Sequence, residues 1–191
     1  MDEHLKWDIV SSEYLIKDKW LNARKDICRR KDGKIINPYY VIEYMDWVTA
    51  LCVTEDNKFV LINQYRHALG KVCLELPGGC VDDDDSSLEE AVKREVLEET
   101  GYAFKEGIYL GKTSPNPSTN NNYMSMFLLT GGKKIKEQSL DGNEEIEVIL
   151  LTYEQLLEEL AKQRIVQSMH VTTIFYALQH LGTLKLPAQF R

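Results

Sequence analysis

The chain is predicted to fold as an α+β protein, a mixed β-sheet between helices, with a small β region at its N-terminus. Three observations carry this. Apolar runs of strand length occur at 47–53, 59–64, 123–129 and 146–151. Amphipathic stretches with start and stop signals occur at 87–101, from Thr152 onward, and at about 168–182. The first 45 residues hold only short β-like runs broken by turn dipeptides.

In chain order, residues 1–45 read as short strands with turns at Asp32-Gly33 and Asn37-Pro38, and residues 46–191 as the main domain. Trp47 to Val53 and Phe59 to Gln64 flank Glu55-Asp56-Asn57 as a hairpin entering the core sheet. Leu74-Glu75-Leu76-Pro77-Gly78-Gly79 reads as an apolar strand ending in a glycine loop. Ser87 and Glu90 form a capping box for the next helix, Leu88, Val92 and Val96 give its buried stripe, and Gly101 stops it. Thr152 with Gln155 is a second capping box, and Val171, Ile174, Phe175 and Leu178 form the inner face of the last helix.

With 191 residues, 43% hydrophobic and 28% charged, the chain can bury one sizeable core. Its formal charge of −7 argues against a nucleic-acid backbone as partner, because that polyanion selects basic surfaces. Cys28, Cys52, Cys73 and Cys80 form no CxxC pair and the four histidines are scattered, so zinc and disulfides are not expected. No apolar run reaches membrane-spanning length, and the charged start MDEHLKWDIV lacks a signal-peptide core, so a cytoplasmic setting without membrane association is expected.

The chemistry concentrates in Arg94-Glu95-Val96-Leu97-Glu98-Glu99-Thr100-Gly101. On a helix Glu95, Glu98 and Glu99 stand at i, i+3 and i+4, which brings three carboxylates to one face within reach of a shared ion. Like charges so placed repel unless a cation sits among them. Hard ions such as Mg²⁺ take oxygen ligands and bridge to phosphates, which suits this arrangement. A solvated acidic helix face is the bland alternative, but a strand, glycine loop and capped helix around the carboxylates make a site. Gly111-Lys112-Thr113 is not a P-loop, since Glu106 occupies the position that requires glycine.

These residues resemble the Nudix box of the Nudix hydrolases. The second half, Arg94 to Tyr102, fits letter for letter; in the first half, counting from Gly79, the glutamate position falls on Asp85 and one extra residue precedes Arg94. Gln64-Tyr65-Arg66-His67, the Leu74–Gly79 run and Pro115-Asn116-Pro117 extend the likeness to the ADP-ribose pyrophosphatase and NDP-sugar hydrolase branch. The resemblance implies a Nudix α/β/α sandwich with a small N-terminal β subdomain that serves dimerisation and nucleotide recognition. It also implies a homodimer and an Mg²⁺ cofactor, with Mn²⁺ as a substitute.

For site residues, the resemblance implies Glu95 and Glu99 as direct metal ligands, Glu98 as a ligand directly or through water, and the Gly78 carbonyl as a further oxygen. Arg94 orients the carboxylates and Arg66 faces the pyrophosphate. Pro117, sixteen residues after Gly101, stands near the branch's marker proline. Trp20 matches a base-stacking tryptophan, with Tyr39 or Tyr40 opposite; a core or dimer-interface role for Trp20 is the alternative. The general base falls among Glu144, Glu145 and Glu147, and the resemblance favours Glu144. The implied substrate is a small-molecule nucleoside diphosphate derivative, with ADP-ribose giving AMP and ribose 5-phosphate. Another NDP-sugar such as GDP-mannose, a dinucleotide, or a non-catalytic ligand-binding module are the alternatives.

Overall fold

The computed structural model describes residues 3–184. They form eleven strands and three α-helices: β1 (Asp8–Lys17), β2 (Asn22–Arg29), β3 (Ile35–Glu43), β4 (Trp47–Thr54), β5 (Phe59–Arg66), β6 (Lys71–Glu75), β7 (Gly78–Cys80), α1 (Leu88–Thr100), β8 (Tyr102–Ala103), β9 (Glu106–Thr113), β10 (Met124–Lys134), β11 (Ile146–Leu151), α2 (Tyr153–Ala161) and α3 (Ser168–His180). By contacts the chain divides into two compact units, Met1–Met45 with Ser114–Tyr123, and Asp46–Thr113 with Met124–Arg191.

The first unit is a three-stranded antiparallel sheet in the order β1-β2-β3. Its strands are longer than the turn dipeptides predict. Asn37-Pro38 does not turn the chain; it lies inside β3, as a cis peptide, where the β2–β3 register shifts between Asp26 and Cys28. A proline has no N–H to give to the ladder, and a register shift is where a strand tolerates it. Every residue of β1 is exposed.

The second unit is an eight-stranded mixed sheet whose main path runs β11-β5-β4-β10-β8, with β6 on β5, β7 on β4 and β9 on β10. Only the β4–β10 pair is parallel. The expected hairpin is present as β4 and β5, closed by Thr54 Oγ1, which accepts from Lys58 N and donates to Asp56. Alternation along β4 feeds two cores. Leu51 joins Leu61, Leu76, Leu128, Leu156, Ile174 and Leu178 under α2 and α3. Val48, Ala50 and Cys52 join Ala91, Val92, Val96, Phe127 and Leu129 under α1. One helix layer therefore covers each face of the sheet, the α/β/α sandwich.

Two helix faces differ from expectation. In α1 the buried residues are Ala91, Val92, Val96, Glu99 and Thr100, while Leu88 in the first turn is exposed. In α3 Met169, His170, Thr173, Ile174, Ala177 and Leu178 are buried and Phe175 is exposed. Residues four apart share a helix face, so the pairs at 169–170, 173–174 and 177–178 exclude position 175. The Thr152–Gln155 box forms in both directions. At Ser87 the serine half is formed, with Glu90 N donating to Ser87 Oγ at 3.2 Å.

Candidate active site

The site is assembled in the second unit where the C-terminal half of α1 lies over β7. Burial of Ala91, Val92 and Val96 against the sheet fixes which way the helix is rotated. That rotation lays Glu99 inward, only 4% exposed, and leaves Glu98 toward solvent. Gly101 closes the helix at φ 76°, its N–H donating to Leu97 O. The last turn carries no basic residue, so Glu98 and Glu99 sit at the negative end of the helix dipole. A helix arranged only for stability would not place them there.

The glycines predicted to form a loop form the short strand β7 instead, paired with β4 through Thr49–Gly78 and Val48–Gly79. Two close approaches require them. At Gly78, with φ 148°, a Cβ would lie 2.1 Å from Val48 O. At Gly79 a Cβ would lie 2.6 Å from the Glu95 carboxylate. Without side chains there, the helix carboxylates rest directly on the strand backbone, and Gly78 N donates to Glu99 Oε2 at 2.8 Å.

Arg94 organises the outer part. Its Nε and Nη2 bond Asp85 at 3.0 and 2.8 Å, Nη2 also reaches Cys80 O at 3.2 Å, and Nη1 bonds Glu95 at 3.0 Å and Glu98 at 3.2 Å. Asp85 also accepts from Asp82 N, which folds the acidic loop back on itself. The acidic position displaced by one residue in the sequence thus holds Arg94 through a two-point contact. This bonding depresses the Asp85 carboxyl below its usual range and raises Arg94.

The three carboxylates do not converge on one point, as helical spacing alone predicts. Arg94 stands between Glu95 and Glu98, and Glu99 turns to Gly78. Among the described residues no group of three or more His, Cys, Asp and Glu side chains is spaced as a finished ion cage. The donor chemistry nonetheless fits a hard cation. Burial, reinforced by Glu95 and Glu144 and opposed by the Gly78 N–H, pushes the Glu99 carboxyl up to about 8. Burial likewise pushes Glu95 up to about 7, against the pull of Arg94. Such groups ionise at neutral pH once a positive charge arrives, and all their donors are oxygen.

Arg66, at the end of β5, bonds Glu75 through Nε at 3.0 Å and Nη2 at 2.5 Å. Glu75 is 3% exposed while the Arg66 side chain keeps 45%, so a buried carboxylate aims a half-open guanidinium. Arg66 lies near enough to Glu99 to oppose its raised pKa. Beneath them buried His170 accepts from Leu76 N at 3.3 Å through Nδ1, and burial pushes its imidazole down to about 4, so it is neutral. The sequence pattern did not single out Glu75 or His170. Glu75 lay in an apolar strand, and that exception to alternation was the available signal.

The three candidate bases separate. Glu147 accepts from Asn63 Nδ2 at 2.9 Å across β11 and β5. Glu145 is exposed. Glu144 is half-buried and acts electrostatically on both Glu95 and Glu99.

Trp20, Tyr39 and Pro117 belong to the first unit. Trp20 is 70% exposed on a bend whose backbone N–H donates to Asp18, and Lys19 Nζ lies 4.6 Å from its ring. A tryptophan so open is not a core residue of this chain. Tyr39 donates to Ser118 O at 2.7 Å and meets Trp7 edge-on at 6.0 Å, whereas Tyr40 is 53% exposed. Pro117 is exposed in the turn beside Ser118.

Two family models match: "NUDIX domain" over residues 45–170 and "Nucleoside diphosphate sugar hydrolase N-terminal domain" over residues 7–42. The chain is 30% identical to a Mus musculus "ADP-sugar pyrophosphatase", covering 95% of this chain and 92% of that one. It is 28% identical to a Bacillus methanolicus "Methanol dehydrogenase activator", covering 73% and 78%. A solved structure described as an ADP compounds hydrolase superposes with a TM-score of 0.80 at 19% identity, covering 94% of this chain and 97% of that one, a likeness of fold.

Proposed function

The chain belongs to the Nudix family, and on that premise we propose that it hydrolyses the pyrophosphate bond of a nucleoside diphosphate linked to a sugar, ADP-ribose being the specific substrate. The observation that carries the reading is the packing of half-buried Glu95 and buried Glu99 on the glycines of β7, with Arg66 and Glu144 close enough to act on Glu99 electrostatically. The likeness to the mouse ADP-sugar enzyme supports the substrate class.

Glu95 and Glu99 would hold Mg²⁺, or Mn²⁺ in its place, with Glu98 and the Gly78 carbonyl as further oxygen donors. The ion would supply positive charge that offsets the charge on the pyrophosphate oxygens. Arg94 keeps Glu95 and Glu98 apart and oriented. Arg66, steadied by Glu75, directs its remaining N–H groups at a phosphate. Glu144 takes the proton from a water that attacks phosphorus as the P–O–P bond breaks, giving AMP and ribose 5-phosphate. Trp20 and Tyr39 are assigned to the base and Pro117 to the loop that shapes substrate choice.

Residues 1–45 serve dimerisation and nucleotide recognition, and 46–191 carry hydrolysis. A homodimer accounts for β1, an edge strand exposed throughout with Ile9, Val10, Tyr14, Leu15 and Ile16 upon it. A cytoplasmic setting accords with free thiols at Cys28, Cys52, Cys73 and Cys80.

The test is purified protein with Mg²⁺ against ADP-ribose, GDP-mannose, other NDP-sugars and dinucleotides, reading phosphate released after phosphatase treatment. Highest kcat/KM on ADP-ribose supports the reading. Preference for GDP-mannose or a dinucleotide replaces the substrate and keeps the chemistry, and binding without turnover of any of them makes the chain a ligand-binding module.

A further inference from the structure

The loop that carries Glu144 is tied to the metal-helix end by a side chain with no role so far. Gln138 Nε2 donates to Glu99 O at 2.6 Å and to Ile146 O at 3.0 Å. One amide thus joins the last turn of α1 to the first residue of β11, two residues beyond Glu144. Next to it Ser139 N donates to Glu98 O at 2.8 Å. The end carbonyls of an α-helix have no partners within the helix. Here Leu97 O is taken by Gly101, Glu98 O by Ser139 and Glu99 O by Gln138, so the 138–139 segment supplies partners for two of the end carbonyls of α1.

Between this tie and β11 the chain turns tightly. Glu144 N donates to Asp141 O at 2.9 Å, and Asp141 N donates to Glu144 Oε2 at 3.0 Å. The turn therefore holds its own glutamate carboxylate. It is tethered at both ends by the same glutamine, at Glu99 on one side and Ile146 on the other. A Cβ on Gly142 within it would meet nothing within 4 Å, so this part of the turn faces open space.

We propose that Gln138 is a positioning residue that sets where the Glu144 carboxylate stands relative to Glu95 and Glu99. The inference rests on the assignment of Glu144 as the base. Gln138 touches neither substrate nor reacting atoms; it fixes the distance across which the proton moves. A misplacement of about 1 Å in such a group costs on the order of 10²-fold in rate.

The experiment compares Gln138→Met, which keeps volume and loses both donated bonds, with Gln138→Glu, which keeps length and loses the donors, each alone and combined with Glu144→Gln. Both single variants are expected to lower kcat about 10- to 10²-fold with KM little changed. In the Glu144→Gln background they are expected to add no further loss. Hydrogen exchange on metal-free protein is expected to speed up at the Ser139 and Asp141 amides and stay unchanged in β4. A wild-type kcat in the single variants overturns the proposal. If Glu144→Gln is impaired and Gln138→Met or Gln138→Glu lowers it by the same factor again, Gln138 acts elsewhere and the base assignment stands. If Glu144→Gln itself turns over like wild type, the base assignment fails and the proposal with it. Unchanged exchange at Ser139 and Asp141 also overturns it, independently of turnover.

Discussion

Gly78 N–H points at Glu99 Oε2 across 2.8 Å, so a backbone donor in the glycine strand holds the most buried of the three α1 carboxylates. The bond favours the charged form against the burial that disfavours it. Glu99 is thereby fixed in direction before any ion arrives.

Glu99→Gln keeps this bond through its amide oxygen while removing a charge. It is expected to fold normally and to lose several kcal/mol of transition-state stabilisation, abolishing turnover. Steady-state kinetics at saturating Mg²⁺ and circular dichroism check this; wild-type rate removes Glu99 from the metal set.

The same carboxylates make stability depend on pH and metal together. With folded-state pKa values raised from 4.5 to about 7 for Glu95 and about 8 for Glu99, the metal-free fold binds more protons than the unfolded chain between pH 4.5 and 8. Their contribution is present below pH 4.5 and is lost as pH rises through 7 to 8. Mg²⁺ is therefore expected to raise Tm more at pH 8 than at pH 5.5. Thermal melts with and without Mg²⁺ decide it, and an equal increment at both values contradicts the assignment.

The two glycines of β7 are expected to fail differently. Gly78→Ala sets a Cβ against the Val48 carbonyl in a conformation alanine rarely adopts, and destabilises by roughly 2 kcal/mol or more. Gly79→Ala meets the movable Glu95 side chain instead, and weakens the Mg²⁺ response more than Tm. Urea melts and Mg²⁺ titrations of both variants compare these, and a larger loss of stability for Gly79→Ala reverses the argument.

Glu144→Gln is expected to lower kcat roughly 10² to 10⁴-fold with KM little changed. Glu145→Gln and Glu147→Gln, one exposed and the other bonded to Asn63, are expected to stay near wild type. A greater kcat loss in either moves the base, and three near-wild-type variants remove the loop from the mechanism.

Light scattering at micromolar concentration is expected to give twice the 22.1 kDa chain mass. Ile9→Lys with Leu15→Lys on β1 is expected to yield monomer, since charge on an edge strand opposes pairing. A monomeric wild type counts against a dimer built on β1.

The sequence by itself determined most of the elements and the residue types of the candidate site. Strand-length apolar runs, the Ser87 and Thr152 caps, the Gly101 stop and the i, i+3, i+4 carboxylates are local patterns, and local patterns are readable because backbone geometry repeats at 2 and 3.6 residues. Sheet order, and with it the strands β7, β8 and β9, came from long-range pairing that no local period encodes. Tertiary structure also decided what each carboxylate does. Asp85 and Glu98 share Arg94, Glu99 is buried on Gly78, Glu75 aims Arg66, and Gln138 ties the Glu144 loop to α1. Those partners lie 4 to 39 positions apart along the chain. The desolvation that separates Glu99 from an ordinary surface glutamate exists only once the sheet and α1 have closed over it.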